Sequence, residues 1–417
     1  MKKSSFRNCP ICQEPDSETI HTLACGNLDN SKLYPTIRIK NCLRCGHVFN
    51  DLSENELSGL NDYYNIEYAW ANLSATDKIS DRPGSAGGLT TERYDQLYRA
   101  LSPHIHSRQN ILDVGCALGG FLDYLHYKGF TELYGVDMAE TYVEQARLKN
   151  KYRIEIGNAE SLPFDDHVFD VIVMEQVMEH LFNPVEAFQE ARRALRRDGI
   201  FCIGVPDAAR YADCYFFDFY WLLLREHIQH FDIAHLALLG RQAGFDLLEY
   251  HETVHAVMAE RMIMPNLYAV FRLTDSGPQS DKSDFDNFKL RRLMNIYLQQ
   301  EEARQSKRRK IIAELIQSQR PVFAWGIGRE FLYLYKSAGL KRCNIAGLID
   351  ANPYKQKSCF VDEMKIEDAG DLLSRASADS VLLITAIAHT ESIKNVAMAL
   401  GFKGEIFDLD IKSNSSH

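Results

Sequence analysis

The stretch from Ile111 to Phe121, Ile-Leu-Asp-Val-Gly-Cys-Ala-Leu-Gly-Gly-Phe, constrains the fold more than any other. A short apolar run reaches Asp113 and breaks into a loop with Gly115, Gly119 and Gly120, after which Phe121, Leu122 and Leu125 recur at helical spacing. The pattern predicts a strand, a glycine turn and a helix start. Glycines at such a turn let the backbone approach a ligand closely, and a helix N-terminus offers unpaired N–H groups. A second apolar run, Leu133 to Asp137, also ends in a carboxylate, at the place where a doubly wound sheet receives ribose hydroxyls. The two elements predict one nucleoside site.

Many glycine turns bind nothing, so later motifs carry weight. Gly157-Asn158-Ala159-Glu160 follows a third candidate strand, and Val171 to Met174 reads as a buried strand ending in Glu175-Gln176-Val177-Met178-Glu179-His180. In this order the motifs resemble the class I S-adenosylmethionine (SAM) methyltransferases over roughly residues 90 to 273. The resemblance implies a Rossmann-like α/β domain that binds SAM. By position, Asp113, Gly115, Cys116 and Gly119 would admit the amino-acid tail and sulfonium, and Asp137 would take the ribose hydroxyls. Met138 would lie beside the adenine, Asn158 and Ala159 would read its edge, and Glu175 and Gln176 would close the site. The rival is a dinucleotide, but Gly115 and Gly119 are not spaced as Gly-x-Gly-x-x-Gly, which disfavours a pyrophosphate cradle.

Composition bounds the rest. The 417 residues suffice for two or three domains with sizeable cores, and 46% hydrophobic with 25% charged residues is ordinary for a globular chain. A net charge of -10 argues against a general nucleic-acid binder and for a small-molecule substrate. No apolar run is long enough to span a membrane, and Met1-Lys2-Lys3-Ser4-Ser5-Phe6 is not followed by a signal-peptide core. The expectation is a cytoplasmic protein without membrane or nucleic-acid partners.

Four of the ten cysteines form two Cys-x-x-Cys pairs, Cys9 with Cys12 and Cys42 with Cys45. That spacing brings paired thiolates onto one tetrahedral Zn2+, and four cysteines leave no position for water, so the ion is expected to be structural. Redox dithiols or unrelated surface cysteines are the alternative. His21, Cys25 and His47 are spare ligands.

Tyr63, Tyr64, Tyr68 and Trp70, with the turn-rich Asp81 to Gly88, read as packing between this module and the next domain, or as a lid. His180 is either a scaffold residue or a chemical one. Arg225-Glu226-His227-Ile228-Gln229-His230 holds two imidazoles and a carboxylate, a combination suited to proton transfer near neutral pH. Its plainer role is to cap the next helix. A polar linker from Thr274 leads to a long charged helix, about Phe285 to Ser318, whose Lys307-Arg308-Arg309-Lys310 run reads as a solvated face. Beyond Pro321, Val322 to Glu330 is another strand and glycine turn, and three further short strands complete a smaller α/β unit.

A four-cysteine module, a SAM domain with Glu226-His227 after its fifth strand, and a C-terminal unit opening on Trp325-Gly326-Ile327-Gly328 together resemble the SAM-dependent sugar C-methyltransferases of deoxysugar biosynthesis. The resemblance implies a zinc-binding module at 1–60, a methyltransferase domain at 61–273, a linker and helix at 274–320, and a Rossmann-like substrate-binding domain at 321–417. It also implies a nucleotide-linked keto sugar as substrate, deprotonated beside its ketone by His227, with Glu226 orienting that base and His180 near the oxyanion. Where this family has a tyrosine two residues before the glutamate, the chain has Leu224. An O- or N-methyltransferase acting on a carbohydrate or other metabolite shares the SAM residues. A non-catalytic scaffold is disfavoured by the intact SAM loops.

Overall fold

A computed structural model describes residues 5–24, 33–63, 88–149, 152–213, 220–223, 225–257, 259–275, 277 and 288–409. The aromatic run after Tyr63, most of the linker, Cys25 and Leu224 lie outside the described residues. The chain divides into two compact units, whose main boundary falls inside one helix between Tyr297 and Leu298.

The first unit opens with β1 (Ser17–Ala24), β2 (Thr36–Cys42) and β3 (Val48–Asn50), followed by α1 (Glu54–Asp62). Ser53 caps α1 in a capping box with Glu56. Next come α2 (Gly88–Leu101), β4 (Ile111–Val114), α3 (Gly120–Tyr127), β5 (Leu133–Asp137), α4 (Glu140–Lys149), β6 (Arg153–Ile156) and β7 (Phe169–Glu175). Then α5 (Pro184–Ala194), β8 (Leu195–Pro206), β9 (Gln229–His230), α6 (Ile233–Ala243), β10 (Phe245–Val257) and β11 (Ala259–Leu273) complete it. Seven strands form one sheet in the order β10-β11-β8-β7-β4-β5-β6, parallel from β6 to β8. Only β11 runs against its neighbours.

Alternating side chains along the central strands face opposite sides of this sheet. Leu112, Val114, Ile172 and Met174 enter the core with α5 and α6, while Ile111, Val171 and Val173 pack with α2, α3 and α4. Both faces of the parallel strands are therefore covered, which is why they read as unbroken apolar runs. The carboxyl ends of β4, β5, β6 and β7 share one edge, where open α/β sheets bind ligands.

The second unit contains the remainder of α7 (Lys289–Ser318), then β12 (Val322–Trp325), α8 (Arg329–Ser337), β13 (Ile345–Ile349) and α9 (Pro353–Ser358). It continues with β14 (Phe360–Val361), β15 (Met364–Glu367), α10 (Ala369–Leu373), β16 (Val381–Ile384), α11 (Thr390–Ala399) and β17 (Glu405–Asp408). The sheet order is β14-β15-β13-β12-β16-β17, parallel except at β14. Six strands replace the four expected, because β14 and β15 are too short to show a period. Gly326, at φ 105°, has Ala386 so close that a Cβ there would meet it at 2.4 Å. Asp350, at the end of β13, accepts from Ile327 N at 2.9 Å and pairs with Lys355 at 2.8 Å.

One expectation for α7 is corrected. Arg308 does not lie on a solvated face: it is 1% exposed and pairs with Glu330 at 2.8 Å. A basic run on a long helix cannot reveal that one of its members meets a buried acid far along the chain.

Candidate active site

The glycine loop and its surroundings form the first half of the site. Gly115 holds φ 77°, and a Cβ there would come within 2.5 Å of Val177 Cγ2, so this position takes glycine on two grounds. Gly119, at φ 80°, turns the chain into α3. Ala117 N and Ala139 N donate to the two oxygens of Asp137, each at 2.9 Å, so the loop and the β5 carboxylate form one rigid piece. Asn158 and the buried Ala159 lie on the turn after β6, and Met138 directly follows Asp137.

A cavity at this edge is lined by Arg93, Tyr94, Leu97, Asp113, Gly115, Cys116, Phe121 and Glu175. Arg93 Nε lies 3.3 Å from Glu175 Oε2. Burial, then the charges of Glu175 and Asp137, hold the Asp113 carboxyl well above the usual range. Burial likewise raises Glu175 against the pull of Arg93, and raises Asp137 despite its backbone donors. Three carboxyls, Asp113 buried and Glu175 and Asp137 partly so, thus converge with one guanidinium, an arrangement that a cationic ligand would relieve. Gln176 adopts φ 57°, a costly backbone for a non-glycine residue, and its amide donates to Asn266 Oδ1 at 2.9 Å. A larger crevice, about 300 Å³ and lined by His167, Arg192, Arg197, Leu273, Thr274 and Asp275, lies at the opposite, amino end of the parallel strands. Ligand chemistry in such sheets belongs to the carboxyl end.

The second half follows β7. His180 Nδ1 donates to the Glu226 carbonyl at 2.9 Å, which fixes its ring, and its centroid stands 4.9 Å from that of His227, edge to face. Polar atoms of Glu179, His180 and His227 all lie within 4.8 Å of one another. Burial lowers the His180 imidazole below its usual range, against the Glu226 carbonyl and carboxylate. Glu226 is partly exposed beside this pair.

Strand pairing with the cysteine module places His227. Val48 and Phe49 of β3 pair with His230 and Gln229 of β9. Asn50, fully buried, donates its amide to the His227 carbonyl at 3.1 Å, and His230 Nε2 donates to Asn50 Oδ1 at 3.3 Å. His47 is no spare metal ligand: it is buried and donates Nε2–H to Gln229 Oε1 at 2.9 Å. Nor does the Glu-His segment cap the following helix, since Asp232 does so by accepting from His235 N at 3.0 Å.

Cys9, Cys12, Cys42 and Cys45 converge, with Cys9 and Cys45 sulfurs 3.6 Å apart and Cys12 and Cys42 sulfurs 3.5 Å apart. Zn–S bonds of about 2.3 Å in a tetrahedron set sulfur edges of about 3.8 Å, so the donor set fits that ion. Backbone N–H groups of Arg44 and Cys45 point at Cys42 Sγ at 3.4 and 3.5 Å, as stabilises a thiolate.

Comparison with known proteins agrees with this geometry: the family described as "Methyltransferase domain" matches residues 88–250. The chain carries a class I SAM-dependent methyltransferase domain. Among its relatives, a probable S-adenosylmethionine-dependent methyltransferase of Mycobacterium tuberculosis is 31% identical over 28% of this chain and 42% of its own. Sarcosine/dimethylglycine N-methyltransferase of Halorhodospira halochloris is 31% identical over 29% of this chain and 44% of its own. Methyltransferase GfsG of Streptomyces halstedii is 28% identical over 44% of this chain and 67% of its own. The chain spans about half the length, or less, of most curated relatives it matches.

Sequence reasoning missed Arg93, Glu179 and Asn50. Arg93 lies before the first strand in a helix that looks merely amphipathic. Glu179 sits inside a quoted motif with no spacing signal of its own, and Asn50 becomes visible only through β3–β9 pairing.

Proposed function

We propose that the protein methylates a carbon atom of a nucleotide-linked keto-deoxysugar, using SAM as donor and His227 as base. The observation that carries this reading is the approach of His180 and His227 beside the cavity lined by Asp113 and Glu175. When bound, SAM supplies an electrophilic methyl group. Gly115, Cys116 and Gly119 would border its tail, Asp137 its ribose, and Met138, Asn158 and Ala159 its adenine, while Glu175 and Gln176 close the site. Arg93, the one cation lining the cavity among the described residues, would receive the carboxylate of the tail.

His227 would accept the proton from the carbon beside the ketone, leaving the electron pair on the substrate as an enolate. His180, its ring fixed by the Glu226 carbonyl, faces the oxygen on which that charge develops. Glu226 contacts the sugar or orients the base. Cys9, Cys12, Cys42 and Cys45 would hold one structural Zn2+ away from the chemistry. The second unit would serve the nucleotide portion of the substrate, in a protein working in the cytoplasm.

The test is incubation with SAM and a panel of nucleotide 4-keto sugars in deuterated water, read by mass spectrometry. Deuterium should enter beside the ketone and a carbon-bound methyl should appear. Both should be lost in His227→Asn while calorimetric SAM binding persists. Methyl transfer without exchange would move the reading to an oxygen or nitrogen acceptor, as in the N-methyltransferase relative from Halorhodospira halochloris.

A further inference from the structure

A second group of buried polar atoms lies on the same sheet, and the mechanism above does not use it. Asn266 on β11 is fully buried; its Oδ1 accepts from Gln176, while its Nδ2 meets no acceptor among the described residues. His255 on β10 is 3% exposed, and neither of its ring nitrogens has a hydrogen-bond partner there. The Thr253 hydroxyl is likewise buried and unpartnered. Buried donors and acceptors left unpaired cost free energy, so three such groups on one patch ask for a ligand.

Strand register puts them side by side. Thr253 stands opposite Asn266, and His255 opposite Met264 two residues along, so all three project from one face. Asn266 also lies two residues before Tyr268, whose neighbour on β8 is Gly204, and Gly204 adjoins Glu175 on β7. A Cβ on Gly204 would meet both the Tyr268 ring and Glu175 Cγ, so these residues share that face. The patch therefore continues sideways from the cavity that Glu175 lines. Its backbone is braced: Arg210, paired with Asp207 at 2.7 Å, donates to the carbonyls of Thr253 at 2.7 Å and Asn266 at 2.9 Å. Burial and the charge of Arg93 hold His255 at about 3, so its imidazole is neutral near pH 7. The three side chains thus offer donors and lone pairs without formal charge. A hydroxyl, which donates, accepts and is neutral, is their complement.

We propose that Asn266, Thr253 and His255 form a subsite, beside the methyl-donor cavity, for a hydroxyl group of the methyl acceptor. This rests on the reading of that acceptor as a nucleotide-linked sugar, and on neither carbon as the methylated atom nor His227 as base.

The test is calorimetry on the full-length protein loaded with S-adenosylhomocysteine and titrated with dTDP-, UDP- and GDP-linked hexoses, each with and without a 4-keto group. Hexoses lacking the ketone form no enolate, so their binding probes the subsite alone. Their affinity should fall at least tenfold in Asn266→Ala and in Thr253→Val, while SAM affinity stays within about twofold. Thr253→Val removes an unpaired buried hydroxyl, so its urea midpoint should hold or rise while hexose binding falls, a split that a purely structural role would not give. Unchanged hexose affinity in both variants, or no hexose bound by the unaltered protein, would overturn the proposal whatever deuterium exchange shows. Hexose binding that depends on Asn266, with no deuterium exchange in the 4-keto forms, would leave the subsite standing and count only against the enolate.

Discussion

Asp137 has both carboxylate oxygens held by backbone amides of Ala117 and Ala139, so it is oriented before any ligand arrives. That preorganisation is the residue-scale device of the site, because an acceptor already in place loses little entropy on binding. Replacing Asp137 with Ala should weaken SAM binding by about 1 to 3 kcal/mol through lost charged hydrogen bonds. Unchanged affinity by calorimetry would remove Asp137 from the site. Its proposed role was legible because an acid at the end of a second strand has a positional meaning. The second unit repeats the device at Asp350, but there Lys355 already occupies the acid. Sequence patterns are the same in both places, and only the side-chain partners tell them apart.

At the scale of elements, the cysteine module braces the segment that carries the proposed base. β3 pairs with β9, and Asn50 reaches the carbonyl of His227, so the segment bearing the proposed base is held by a strand beginning three residues after Cys45. Cys42→Ser should therefore do two things. Metal analysis should show bound zinc falling from one per chain to none, and hydrogen exchange should show lost protection at Val48–Asn50 and Gln229–His230. Amides of β4 and β5 should stay protected. Retained protection at β9 would mean that the module folds without the ion. The two Cys-x-x-Cys pairs were plain from spacing alone, whereas their partnership with residues near 230 was not. Pairing between β3 and β9 joins segments far apart in the chain, and neither short strand carries a period that announces a partner.

For the whole molecule, two buried imidazoles predict a pH dependence. Burial lowers His230 to about 3, and burial with the nearby charge of Arg93 lowers His255 to about 3. Below the ordinary value of 6.5 the unfolded chain binds protons that the folded chain refuses, so stability falls as pH drops from 6.5 toward 3. Each imidazole contributes a slope of up to about 1.4 kcal/mol per pH unit in that window. His255→Gln should flatten the fall in urea midpoint between about pH 6.5 and 4.5, and an unaltered slope would show that His255 charges freely in the fold. What the sequence determined unaided was local: the glycine turn, the acids ending β4 and β5, the cysteine knuckles, the apolar runs of a parallel sheet and the histidines worth attention. These are set by backbone sterics and side-chain period, which act over a few neighbours. Tertiary structure alone decided which long-range partners meet. It buried Arg308 against Glu330, set Arg93 against Glu175, brought Glu179 to His180 and His227, and attached the cysteine module to β9, because charge pairing and strand pairing are settled by packing in space.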